Sequence, residues 1–533
     1  MTLITATPAT VAQRAAELRP GDTLRLESGR YRDRLSLNHV RGTAARPIRI
    51  EAAADAVFDA GLPLPTSLAD PTPVRALAEA AARALDPARD FPGIHRIQGE
   101  GHLALRECEH LILSGLRFRD CWPTAIAIDS CRHLQFDAID VQGAAYAFAA
   151  SGRLTRHLRF DTCKWVQDRS KAFLWSTLNF ADVHGNWGEA DGDGWRCFDG
   201  SFFNGVDIAG PVSFVECVVK HAFNGVHLFN RERSPDLSRD IVVRDCRFSH
   251  VKDNPVEAED AATNWWIVGN DFHNCHKWLS LELKKAAGIY VFRNQAWADD
   301  RPGPPEDANA SGAVFKFFKK ADKPKKSSPP IHVFNNSWAL RSTIVAEGFV
   351  RGLRHANNAI HVYGPKDRRA ARARLAKGVS DQQELAAIDE RLVRAYREWT
   401  PLFGSRDIAE PHWPQPPRDF TRFWETFDIH FENDVVGRPD GRPDIRAAGY
   451  PDMKARWKSP RFVAPTAGDT ALAANSPCAG TSTAYDVVLV DKTVVALPAG
   501  LNVGAHQADP KPFDALLARA PVVAPLATSD DSG

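Results

Sequence analysis

FNGVDIA (203–209), FNGVHLF (223–229), DNPVEAE (253–259), KWLSLELK (277–284) and GAVFKF (312–317) are five related segments in the middle of the chain. Each is of strand length, and in each small or aliphatic residues alternate with something else. A period of two marks a strand with one buried and one open face. Laid side by side, the segments give an inward set of Val206/Ile208, Val226/Leu228, Val256/Ala258, Leu279/Leu281/Leu283 and Ala313/Phe315. The outward set is Asp207, His227, Glu257 with Glu259, Ser280 with Glu282 and Lys284, and Lys316. An outward face that gathers acids, a histidine and lysines is where chemistry is expected.

A second motif recurs between these segments: HLQFDAIDV (133–141), HLRFDTCKW (157–165), PVSFVECVV (211–219), DIVVRDCRF (240–248), NWWIVGNDF (264–272), GIYVFRNQAW (288–297) and IHVFNNSWAL (331–340). Alternating apolar residues lead to Asn, Asp or Cys and then to another apolar residue. Taken as equivalent, Ile139, Cys163, Cys217, Cys246, Asn270 and Gln295 lie 24, 54, 29, 24 and 25 residues apart, the 54 reading as two turns with an insertion. Strand runs at this period, with no helix between them, predict a solenoid whose coils stack as parallel strands. Asn at the corners tolerates the left-handed backbone of a tight turn.

Both ends fit this reading. Residues 8–33 predict a short amphipathic helix, a Pro20-Gly21-Asp22 turn and a strand, the helix covering the open end as a terminal repeat must. GTAARPIRIEA (42–52) reads as the next coil, and SPCAGTSTAYDVVLVDKTVVALPAGLNVGAHQ (476–507) as a closing coil. The PGDT-L-L-x-x-G-x-Y opening, the GT-x-x-x-PI-x-I coil and the SPC-AG…NVGAHQ ending resemble the pectate-lyase-like right-handed parallel β-helix proteins. The resemblance spans about residues 1–360 and 430–507. It implies an all-β, right-handed parallel β-helix with an N-terminal capping helix and helical insertions. The scaffold serves lyases, hydrolases, epimerases and adhesins, so the resemblance specifies fold more than function.

The predicted organisation is a β-helix with its cap over 1–360, a helical and loop insertion over 361–428, final coils over 429–510 and a tail over 511–533. A smaller helical insertion covers 74–86, VRALAEAAARALD. The 533 residues carry a net charge of +1 with 25% charged residues, so no global field draws the chain to nucleic acid. No stretch of eighteen apolar residues suggests a membrane span. The first thirty residues lack a charged segment followed by an apolar core, which leaves a cytoplasmic protein or one whose signal was removed. The nine cysteines, several at the repeat position and none in C-x-x-C, read as buried stacking residues.

Parallel strands lie about 4.8 Å apart, and residues i and i+2 about 6.6 Å apart, so the outward groups form a compact grid. Clustered carboxylates raise one another's pKa unless a cation compensates. The catalytic candidates are therefore His227, Glu257, Glu259, Glu282, Lys284 and Lys316. Two loops flank the grid. ADVHGNWGEADGDGWRCFDG (181–200) places Trp187 and Trp195 beside Asp193, suited to stacking a sugar ring and binding its hydroxyls. Its DGDG lacks the spacing of an EF-hand loop. FFKKADKPKKSS (317–328), with Lys319, forms a basic rim with Lys284 and Lys285 for an anionic polysaccharide. The substrate-binding candidates are Asp207, Trp187, Trp195, Asp193, Asn224, Lys252, Lys285 and Lys319.

In detail the pattern is similar to the calcium-dependent chondroitinase B and alginate lyase group. The resemblance implies that Glu257 and Glu259 hold Ca2+, which neutralises the substrate uronate. The group's calcium-binding asparagine falls near His227, with Asn224 and Asn230 close by. Its lysine base falls near Asn264, and its arginine acid at Glu282. The acidic pair carries over, and the base and acid do not. The expectation is a monomeric enzyme that cleaves an acidic polysaccharide or oligosaccharide: a lyase based on His227 or on Lys252, Lys284 or Lys316, or a glycoside hydrolase using two of Glu257, Glu259 and Glu282. An epimerase or a glycan-binding adhesin is the remaining reading.

Overall fold

The computed structural model describes residues 2–62, 101–167, 200–298, 313–318, 325–340, 344–347, 350–362, 428–437, 456–507 and 509–526. The insertion predicted over 74–86, residues 363–427 of the one predicted over 361–428, and the 181–200 loop apart from Gly200 lie outside these residues. The chain divides into two units, residues 1–253 with 521–533, and residues 254–520.

The first unit is a stack of coils, each supplying strands to three parallel columns. One column runs through Leu3–Ala6, Thr23–Leu26, Ile48–Ala52, Glu109–Ser114, Arg132–Asp137, Arg156–Asp161, Val212–Val215 and Arg239–Arg244. A second runs from Leu35–Asn38 through Leu103–Arg106, Thr124–Asp129, Tyr146–Ser151 and Ser201–Val206 to Asn224–Phe229. The third is built of short strands such as Arg117–Cys121, Asp140–Gln142 and Lys164–Val166. This is a parallel β-helix, and a parallel crossover takes the right hand for the steric reason that governs all such connections. The helix Val11–Ala16 buries Val11 and Ala15 against the first strands, as the amphipathic pattern predicts.

Stacking in register fills the interior. Phe136, Phe160 and Phe214 lie on successive coils with ring centroids 4.9 Å apart and nearly parallel planes. Burying each such ring contributes roughly 1.5–3 kcal/mol. The described cysteines are buried, and Cys163, Cys217 and Cys246 share one rung. A residue with positive φ precedes each member of that rung: Thr162, Glu216 and Asp245. The left-handed residue turns the corner, and the next side chain drops into the tube.

The second unit repeats the plan with longer strands. Val256–Val268 and Lys277–Phe292 pair along their length, and later coils add Ala313–Phe317, Ile331–Phe334 and Ser337–Leu340. Here the corner stack is an amide ladder. Asn270 Nδ2 donates to Asn294 Oδ1 at 2.9 Å, Asn294 to Asn336 at 3.0 Å, Asn336 to Asn358 at 2.9 Å, and Asn358 to Asp434 at 3.0 Å, all buried. An amide has one donor side and one acceptor side, so a column at strand spacing satisfies itself without water. The partner of Asn270 is Asn294, one residue before the expected Gln295, which pairs with Asp271 instead.

The predicted closing coil is a different object. Tyr485–Val488 and Val494–Leu497 form an antiparallel hairpin. It docks on the flank of the coils: Tyr485 Oη lies 2.7 Å from His332 Nδ1, and Tyr290 Oη donates to Val488 O at 3.2 Å. The Asp491-Lys492 turn reverses the chain, with Lys492 left-handed, which a solenoid coil would not do.

Candidate active site

The acidic strand Val256–Val268 places Glu257 and Glu259 on one face by alternation. Register sets Glu257 opposite Ser280, Ser280 opposite Lys316, and Glu259 opposite Glu282. Lys316 Nζ lies 2.6 Å from Glu282 Oε2 and 3.4 Å from Glu257 Oε1. One ammonium therefore bridges two carboxylates on different coils, whose oxygens lie within about 6 Å of each other. The cluster is sheltered, with side-chain exposures of 3% for Glu257, 12% for Lys316 and 16% for Glu282. Burial pushes the Glu282 pKa up; Lys316 pulls it down, and Glu257 and Glu259 push it up again. A carboxyl with a raised pKa beside a fixed cation is the kind of group that general acid–base chemistry uses.

Ser280 sits under the Lys316–Glu257 bridge. Its hydroxyl is buried and has no hydrogen-bond partner among the described residues. A small side chain on this rung leaves the lysine room to cross from one coil to the next but one.

A β-bulge follows. Asp260 pairs with Leu283 and Ala261 with Lys285, so Lys284 is the extra residue. Its ammonium bonds the Asp260 carboxylate and lies 5.0 Å from the Phe318 ring centroid. Asp260 has φ 64°, a left-handed conformation that short polar side chains tolerate. Bulges re-aim side chains, and this one turns Lys284 toward the acid. Asp260 was missed in the sequence reading, whose segment DNPVEAE (253–259) stops one residue short of it. Lys285, past the bulge, is exposed.

Of the other expected residues, Asp207, Asn224, His227 and Lys252 belong to the first unit. His227 is buried on the strand Asn224–Phe229, with Nδ1 3.5 Å from Asn224 Nδ2 and its ring 4.0 Å from that of Phe229. Its register partner on the preceding coil is Asn204, not Asp207. Asp207 lies beyond its strand with φ 51° and caps a turn, Oδ1 accepting the Arg231 N–H at 2.8 Å. Its carboxylate is engaged in this turn. Lys252 is buried at a bend. Trp187, Trp195, Asp193 and Lys319 fall outside the described residues.

No family model matches the chain, and no curated protein matches it significantly. Solved structures do. An alginate lyase from Paenibacillus sp. is similar at 12% identity over 66% of this chain and 99% of its own, with a TM-score of 0.34. The Family 28 exopolygalacturonase of Yersinia enterocolitica shows 10% identity over 66% and 75%, TM-score 0.39. PfbA, a surface adhesin of Streptococcus pneumoniae, shows 10% over 67% and 75%, TM-score 0.33. No residue role or substrate crosses at these values. The parallel β-helix stands on the strand pairing described above.

Proposed function

We propose that this β-helix cleaves an acidic, uronate-containing polysaccharide by β-elimination at the Glu257–Glu282–Lys316 cluster. The observation that carries this reading is one sheltered ammonium held between two carboxylates, one of them with a raised pKa. In the proposed step Glu282 removes the proton at C5 of the uronate. The C–H electron pair forms the C4=C5 double bond, the C4–O bond breaks, and the leaving oxygen takes a proton from solvent water. Lys316 and Lys284 offer positive charge to the substrate carboxylate, whose enolate-like form is the charge that develops. The exposed Lys285 extends the cationic rim.

The same carboxylates support hydrolysis as a second reading. Their oxygens, within about 6 Å of each other, approach the ~5–5.5 Å separation of a retaining glycosidase, with Glu282 as acid and Glu257 as nucleophile. Glu257 and Glu259 are also oxygen donors on one strand face, a donor set that fits a hard cation such as calcium. A bound ion there would supply charge neutralisation for the uronate. Activity lost on chelation and restored by calcium supports that assignment, and activity indifferent to chelator removes it.

The reaction is tested by incubating the protein with a panel of uronate polysaccharides and following the absorbance of unsaturated uronates together with new reducing ends. Both signals rising in step are expected. Reducing ends without the absorbance replace elimination by hydrolysis. Binding without any cleavage makes the chain a glycan-binding protein.

A further inference from the structure

Three histidines stack at one corner of the first unit. His110, His133 and His157 occupy equivalent positions on successive coils, with ring centroids 4.5 and 4.3 Å apart and planes within 7° and 17° of parallel. Register places Pro47 before the first and Pro211 after the last, so the column is three rings long and ends on prolines at both sides. Beside it stands Glu109. Its Oε1 lies 3.4 Å from His110 Nε2, and its Oε2 accepts from Arg132 at 2.8 Å. A ligand atom from each of Glu109, His110 and His133 lies within 4.8 Å of the others. His110 Nδ1 and His157 Nδ1 are buried and have no hydrogen-bond partner among the described residues.

We propose that Glu109, His110 and His133 form a binding site for a divalent transition-metal ion of the zinc class, with His157 as a further imidazole within reach. Two imidazoles and a carboxylate are the borderline donors such ions prefer. Stacking for its own sake would be served by apolar rings, as the Phe136–Phe160–Phe214 column shows a few residues further along the same strands. Ligands at the ~2.0–2.2 Å bonds of zinc lie closer together than the present spacing, so the rings turn from parallel toward the ion. All three are only partly buried, which leaves that rotation open.

The surrounding charges keep the imidazoles ready as ligands. Burial and the neighbouring histidines lower the His133 pKa to about 4, with Glu109 opposing and Arg132 adding to the shift. Burial and Arg132 lower that of His110 against Glu109, and burial, Arg156 and His110 lower that of His157. Arg41 faces Glu109 through a β-bridge.

The test uses the full chain, stripped of metal, titrated with Zn2+ by calorimetry and with Co2+ by visible absorption. One saturating equivalent is expected, with ligand-field bands for cobalt. His133→Ala and Glu109→Gln should each weaken binding at least ~10-fold, with unchanged circular dichroism. Glu257→Gln should leave this binding intact. Heat of dilution alone, or binding that both His133→Ala and Glu109→Gln leave unchanged, overturns the proposal and returns the column to packing.

Discussion

Replacing Lys316 by Met tests the electrostatics of the cluster most severely. The substitution keeps the length of the stem and removes the ammonium that sits 2.6 Å from Glu282 and 3.4 Å from Glu257. Two sheltered carboxylates then face each other with no counter-ion between them. Breaking a buried pair by deleting one partner costs roughly 3 kcal/mol, equivalent to a fall of roughly 6 °C in the unfolding midpoint. The pH dependence has a definite sign. The Glu282 pKa is already raised in the folded state, so its charge costs stability at neutral pH, and that cost is relieved as pH falls through the folded pKa. Without Lys316 the shift grows. The deficit of Lys316→Met should therefore be largest at pH 7–8 and shrink as pH drops toward the carboxylate range. Thermal unfolding of wild type and variant across pH measures this, and Lys316→Met/Glu282→Gln should recover at least ~1 kcal/mol of the loss. A variant as stable as wild type at pH 7, or a loss that does not change with pH, refutes the bridge.

Ser280→Ala removes a buried hydroxyl that has no partner among the described residues; it should leave stability unchanged or raise it by up to ~1 kcal/mol in urea unfolding. A loss of that size would mean that the hydroxyl is hydrogen-bonded. His332 holds the hairpin with its Nδ1 on Tyr485 and its Nε2 accepting the Val488 N–H at 3.3 Å, and burial lowers its pKa to about 3. The unfolded chain then binds the extra proton between pH 6.5 and 3, so stability is complete above pH 6.5 and lost as pH falls, by up to ~1.4 kcal/mol per pH unit. His332→Gln should flatten the acid limb of the stability curve, and an unchanged limb contradicts the assignment.

The coils were legible because their two signals are physical periods. Alternation at two follows from the pleat, and recurrence at about 24 residues follows from the circuit of three strands. The Phe136–Phe160 and Cys163–Cys217–Cys246 columns fall where those periods put them. Register was less legible. The tetrapeptide Phe-Asn-Gly-Val occurs at 203–206 and again at 223–226, inviting an alignment of Val206 with Val226. The chain pairs Phe203 with Val226, three residues away from that match, because the circuit length sets the pairing and local identity does not. That slip put Asp207 beside His227 where Asn204 belongs. The Asp260–Lys284 pair was hidden for a related reason: a bulge breaks the alternation on which the reading depended. The hairpin at 485–497 carries the same alternating apolar pattern as a coil, and its antiparallel pairing and docking contacts distinguish the two.

The central claim is that Glu282 transfers the proton in cleavage of an acidic polysaccharide. Its most direct measurement is the initial rate of unsaturated-uronate formation by wild type and Glu282→Gln on the cleaved substrate, with the fold of the variant checked by its unfolding midpoint. A rate at least ~100-fold lower with the fold retained is expected. A folded Glu282→Gln protein working at the wild-type rate would contradict it.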